Sequence, residues 1–140
     1  MAHASIEKDL ETYLLTQTSV TSWIGTGANA RIYWTNAPDS VASSESYPYI
    51  VYFTVAANGE LQYLGTRSSE TLVQFSIFDT HPYNGLTLAN AVFDAMSAYH
   101  GTPGDKTIYY ISANGPRVFR DPDYDNLYHY VVDVTVDYER

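Results

Sequence analysis

The sequence predicts an α+β fold, a two-layer sandwich in which a mostly antiparallel sheet packs with one face against two main helices. Three observations predict it. Alternating apolar and polar residues near the C-terminus are typical of a half-buried strand. A wide apolar stripe over residues 84–99 is typical of a helix that lies on a sheet. Hydrophobic residues make up 45% of the 140 positions, which suffices for the core of one domain spanning residues 1–140.

The N-terminal segment has the pattern of an amphipathic helix. Ser5 is a suitable N-cap, and apolar residues then recur at helical spacing, which predicts a helix from Ser5 to about Gln17. Residues 18–24 are expected to form a short second helical turn that ends at Gly25. A loop is predicted over residues 25–30.

Strand patterns begin in the next part of the chain. Residues 31–34 are predicted to form a short strand, and residues 47–55 form a second one that is rich in β-branched and aromatic side chains. Between them, residues 36–46 are rich in Ser, Ala and Pro and lack periodicity, so we expect a mobile surface loop there.

A hairpin is predicted in the middle of the chain. The dipeptide Asn58-Gly59 is a strong turn signal between two strands. The strand predicted after it, residues 72–79, alternates so that Phe75 shares its face with other apolar residues. That face is expected to point into the core.

The second half of the chain repeats these signals. The helix over residues 84–99 is followed by β character at residues 107–111, and Asn114-Gly115 predicts a second hairpin into residues 117–120. The last strand is predicted over residues 128–138, with Val134 on its apolar face. The predicted order is therefore α-β-β-β-α-β-β-β.

The charge and the composition exclude several classes of protein. Sixteen acidic residues against seven Lys and Arg give a net charge of −9, which disfavours sequence-specific or tight DNA binding. The absence of Cys excludes thiol catalysis and zinc ribbons. No run approaches the roughly 20 apolar residues of a membrane span, so we expect no membrane partner. Fourteen Tyr residues favour protein interfaces.

One segment matches a cofactor pattern loosely. Residues 25–30 read GTGANA, which fits the dinucleotide-binding pattern G-x-G-x-x-A. In that motif a strand precedes the glycines and a helix follows, whereas here the predicted order is reversed. An ordinary turn is therefore expected, with no cofactor.

A second candidate binding site, for a metal ion, is an acidic turn. Asp121, Asp123 and Asp125 have the alternate spacing that opens a calcium-binding loop, but Asn126 replaces the turn glycine and Val132 replaces the bidentate Glu. A solvated turn between strands is the main expectation, and whether these three carboxylates bind a cation stays open.

The histidines do not form a recognisable catalytic or zinc pattern. His3, His81, His100 and His129 are scattered, and none has the i, i+4 helical spacing of zinc hydrolases. We expect capping or surface roles for them. Likewise Asp133 and Asp137 on one strand face would lie about 13 Å apart along it, too far for a catalytic pair. The sequence predicts no catalytic residue, no cofactor-binding residue and no metal ligand.

The two tryptophans are candidates for ligand platforms or for the core. Trp23 lies near a predicted helix end and Trp34 in a predicted strand. Aromatic residues at such places usually pack in the core, and this is our expectation for both.

Several segments together resemble a known family. They are WIG at 23–25, RIY at 31–33, YPYIVY at 47–52, VQFSIF at 73–78 with the helix at 84–99, and residues 120–128 leading into the final strand. In this order they resemble the tail-terminator (tail-completion, head-tail joining) proteins of siphophages.

The resemblance implies a structural virion protein and no enzyme activity. Such proteins close the head-proximal end of the tail tube, usually as a hexameric ring, and contact the tail tube protein and a head-completion or connector protein. DNA would pass through the ring without specific binding, and assembly would take place in the host cytoplasm. Two alternatives stay open: another head-tail connector or adaptor with the same fold, and a small hydrolase in which His81, His129 and a carboxylate converge.

Overall fold

The computed structural model describes residues 5–35, 47–63, 66–120 and 127–139. The elements in chain order are α1 (Ile6–Leu14), α2 (Thr18–Ile24), a 3-10 turn (Gly27–Asn29), β1 (Ile32–Trp34), β2 (Tyr49–Tyr63), β3 (Thr66–Asp79), α3 (Pro82–Met96), β4 (Ile108–Arg120) and β5 (Tyr128–Glu139). The loop predicted over residues 36–46 lies outside the described residues.

Five described strands form one sheet in the order β1-β2-β3-β5-β4. β1 and β2 are parallel, and every other neighbouring pair is antiparallel. The predicted α+β class with a mostly antiparallel sheet is therefore confirmed. The last strand, β5, lies between β3 and β4.

The strands predicted on either side of Asn58-Gly59 do pair antiparallel, but the predicted position of the turn between them is wrong. Both residues lie inside β2, which continues to Tyr63 before β3 begins at Thr66. The register of β2 against β3 shifts between Ala57 and Gly59, so the dipeptide lies at a β-bulge. A bulge adds a residue while the strand continues, so a dipeptide typical of a turn can lie inside a strand.

The hairpin predicted at Asn114-Gly115 is wrong for the same reason. β4 runs without reversal from Ile108 to Arg120 and so joins the two short strands that were predicted there. Its register against β5 shifts between Asn114 and Arg117. Gly115 has a φ of +113°, and a Cβ atom at this position would lie 2.8 Å from the carbonyl oxygen of Val131.

The core lies between the sheet and the helices. Phe75 and Val134, both predicted to face the core, have no solvent-exposed surface. Phe75 pairs with Val132 and Val134 with Val73, so apolar residues of β3 and β5 form one buried layer. The helix α3 covers this layer with the fully buried Leu88, Ala89, Val92 and Met96.

Helix α1 is tied to distant parts of the chain. Ser5 caps it as predicted, since its side chain accepts a hydrogen bond from the Lys8 amide. The buried Asp9 carboxylate accepts hydrogen bonds from the backbone amides of Asp105 and Lys106, at 3.2 and 2.8 Å. These contacts join the first helix to the loop before β4.

A second set of contacts joins α1 to β2. The Tyr52 hydroxyl donates to Glu11 Oε1 at 2.9 Å, and the Thr54 hydroxyl donates to Glu7 Oε1 at 2.7 Å. Burial, with the neighbouring Glu11 carboxylate, raises the pKa of Tyr52. The Tyr52 phenol therefore stays neutral and donates to the carboxylate.

Candidate interaction surfaces

The glycine-containing segment forms the predicted turn. After α2, Gly25 adopts a φ of +89° and the chain enters the 3-10 turn Gly27–Asn29. β1 follows directly, so the segment precedes a strand rather than a helix. The backbone geometry of a dinucleotide-binding motif, which needs a helix N-terminus at this point, is not formed here.

The histidines occupy separate places. His81 caps α3, with its Nδ1 atom accepting from the Asn84 amide at 3.3 Å, which confirms the capping role expected of it. His100 is exposed after α3, and His129 lies in β5 between aromatic rings. His3 lies outside the described residues.

The two strand aspartates share one face but have different surroundings. The Asp133 carboxylate accepts a hydrogen bond from Arg117 on the neighbouring strand. Asp137 lies opposite Glu70 of β3. Burial, together with the Glu70 carboxylate, raises the pKa of Asp137.

A metal or membrane site has no further support in the part of the chain that the structure describes. Across residues 5–35, 47–63, 66–120 and 127–139, no three His, Asp or Glu side chains converge as ion ligands would. Within the same ranges no helix is long and apolar enough to cross a bilayer. Asp121, Asp123 and Asp125 lie outside the described residues.

The face of the sheet opposite α3, here called the outer face, carries a shallow groove. Its lining includes Gln74 of β3, Asp133 and Thr135 of β5, and Asn114 and Arg117 of β4. Amide, hydroxyl and charged groups dominate, and no histidine lies in the groove. The groove therefore offers hydrogen bonds to a partner rather than a catalytic constellation.

An aromatic row crosses the outer face beside this groove, with one ring from each strand. It consists of Tyr33, Tyr49, Phe78, His129 and Phe119, with successive ring centroids 6.4, 5.1, 4.3 and 5.6 Å apart. Sequence reasoning missed this row. The residues alternate correctly within each strand, but only the strand order places the five rings side by side.

His129 is a half-buried polar side chain within the aromatic row. Its Nε2 atom is inaccessible to solvent and has no hydrogen-bond partner in the described structure. Burial lowers the pKa of His129. The neutral imidazole therefore stacks on Phe78, and protonation would place a charge between rings.

We predict that His129 makes folding stability depend on pH. Because its folded pKa lies below the unfolded value of 6.5, the unfolded chain takes up the proton first, and stability is lost as pH falls below about 6.5. Urea unfolding from pH 8 to pH 5 measures this loss. His129→Phe should flatten the pH dependence, and the exposed His100 provides the control as His100→Asn. An unchanged slope in His129→Phe would contradict the prediction.

Half of the large apolar side chains that are exposed among the described residues lie on β4. Tyr109, Tyr110, Val118 and Phe119 are each between 43% and 58% exposed. On the opposite edge of the sheet, Trp34 is 46% exposed, so its predicted core position is wrong. Its strand is the sheet edge, where the indole ring lies 5.2 Å from the Tyr52 ring. Trp23 packs against the core as expected.

Comparison with known proteins decides the family. Residues 8–139 match the family model described as Tail completion protein gp17. The chain belongs to this family. The resemblance inferred from the sequence segments is thereby confirmed, and membership in the tail completion family makes the chain a structural component of a phage-type tail.

A solved structure supports the fold independently. A chain of the structure titled "Virion of native gene transfer agent (GTA) particle" is 10% identical, with a TM-score of 0.73, over 97% of this chain and 96% of that chain. The similarity at this identity concerns the fold of the tail completion protein. No curated protein sequence matches significantly.

Proposed function

We propose that this chain, as a single domain over residues 1–140, closes the head-proximal end of a phage tail tube as a ring of six copies. The observation that carries the proposal is the family match, which extends over residues 8–139. The ring would contact the tail tube protein on one side and a head-completion or connector protein on the other. The role is structural, without a catalytic, cofactor or metal residue.

The negative charge of the chain supports a ring whose channel lets DNA pass. Six copies at −9 carry −54, and a channel lined by carboxylates repels phosphate, so DNA slides rather than binds. The described outer face agrees with a scaffold role, since it offers a polar groove and aromatic rings as protein contacts.

The position in the virion is tested by labelling. Purified protein with a terminal tag is added to tails assembled without it, and gold-labelled antibody is located by electron microscopy. Label at the head-proximal tip of the tube is the expected result. Label on the head portal instead would favour the connector alternative, and label along the tube or at its distal tip would overturn the proposal.

We predict that ring formation strengthens with salt. Copies of charge −9 repel one another, and exposed charges more than about 10 Å apart are largely screened at 0.1 M ionic strength. Mass measured by light scattering across a salt series should rise toward six copies, and tail tubes should promote the same ring at low salt. A dimer that responds to neither salt nor tubes would contradict this.

A further inference from the structure

The outward edge of β4 is covered in its first half, and in its second half it is left uncovered by the residues that the structure describes. The Ala98 amide donates to the Ile111 carbonyl at 2.9 Å, and Gly101 and Ile108 exchange two backbone hydrogen bonds. From Arg117 onward, β4 pairs with β5 on one side. On its other side it receives no backbone hydrogen bond from any residue that the structure describes.

Three consecutive side chains project from this uncovered part, here called the β4 edge (Arg117, Val118 and Phe119). Their exposed fractions are 56% for the Arg117 side chain, 58% for Val118 and 46% for Phe119. Since side chains alternate along a strand, Val118 projects on the helix side while its two neighbours project on the outer face. Exposed apolar residues at an unpaired strand edge are typical of a surface that another chain covers.

The charge of β4 indicates what covers it. The strand contains Arg117 and Arg120 and no acidic residue, so it carries +2 in a chain of −9, and the rest of the chain carries −11. A second copy therefore presents an acidic surface to a basic edge. The Arg117 guanidinium has donors to spare, because it bonds Asp133 and lies 5.5 Å from the Phe119 ring centroid but carries five N–H groups.

The positive charge of β4 favours a head-to-tail contact between copies over a two-fold contact. A two-fold contact between two β4 edges would bring arginines of both copies together. Contact between the β4 edge and a different, acidic surface of the next copy avoids this repulsion. Such head-to-tail contacts generate rings when the rotation closes.

We propose that the β4 edge is one side of the contact between neighbouring copies of this chain, and that it binds a carboxylate-bearing surface of the next copy. The inference rests on the proposed ring and names its interface. Val118 and Phe119 supply the apolar contact, and Arg117 orients the neighbour through its remaining N–H donors.

The test compares two exposed aliphatic side chains. Val118→Ser should raise the concentration needed for ring assembly on the order of tenfold, because the buried valine contact is lost. Leu86→Ser is the control, since Leu86 is an exposed aliphatic side chain of α3, 36% exposed, that lies outside β4 and outside the groove. Arg117→Glu should require more salt than the wild-type chain. Mass by analytical ultracentrifugation measures assembly, and thermal unfolding verifies that each variant is folded.

Each outcome distinguishes the two proposals. Wild-type chain that stays monomeric at every salt concentration and with tail tubes overturns both the ring and this interface. Wild-type rings with equally good assembly of Val118→Ser and Arg117→Glu overturn the interface alone. Because the chain contains no Cys, Val118→Cys can be cross-linked selectively, and efficient disulfide formation between two such copies would show the two-fold contact that this proposal excludes.

Discussion

Val134→Asp is expected to abolish cooperative folding. Val134 has no exposed surface and lies opposite Val73 in the layer between the sheet and α3. An unpaired carboxylate there costs several kcal/mol, against a total stability of about 5 to 15 kcal/mol. Circular dichroism on heating should show no cooperative transition, and the protein should lose its dispersed NMR spectrum.

Ser112→Asp is the control for this substitution. Ser112 is exposed on the outer face and lies opposite Thr135, the neighbour of Val134 in β5. The same carboxylate added there should change the free energy of unfolding by less than about 1 kcal/mol. A soluble Val134→Asp variant that unfolds cooperatively would mean that β5 presents its other face to the core.

Gly115→Ala is expected to give the next largest loss, about 2 to 4 kcal/mol of unfolding free energy. Two costs combine at this bulge. The φ of +113° is one that residues with a Cβ rarely adopt, and the added Cβ would lie 2.8 Å from the Val131 carbonyl oxygen. Because that oxygen belongs to the backbone of β5, it cannot move without disturbing the sheet. Chemical denaturation gives the change in free energy.

Gly27→Ala separates the two costs. Gly27 also has a positive φ, +65°, but a Cβ atom there would meet nothing within 4 Å. Its substitution should cost only the conformational strain, about 1 kcal/mol. Equal losses at the two positions would show that the close approach to Val131 contributes nothing.

Local alternation was enough to predict which residues of β3 and β5 face the core. Phe75 and Val134 illustrate this, because a period of two depends only on near neighbours along the chain. The start of β3 was missed because residues 66–71 are polar and show no alternation. They nevertheless pair with β2, and Ser69 and Thr71 are buried.

Features that depend on strand order were not predictable. The two Asn-Gly dipeptides lie at bulges in strands that continue past them, and the local sequence does not distinguish a bulge from a turn. The aromatic row likewise depends on β5 lying between β3 and β4, which brings His129 between Phe78 and Phe119. Neither consequence is encoded in a local window.

The position of β5 between β3 and β4 determines the order in which the nascent chain can fold. Until this last strand has been synthesised, β3 and β4 lack the partner that joins them. The hydrogen bonds that hold helix α1 also form late, because Asp9 accepts them from amides about 96 residues later in the sequence. Long-range closures of this kind slow folding. Hence β2 and β3, which pair with each other early, must keep their apolar faces from aggregating while translation finishes.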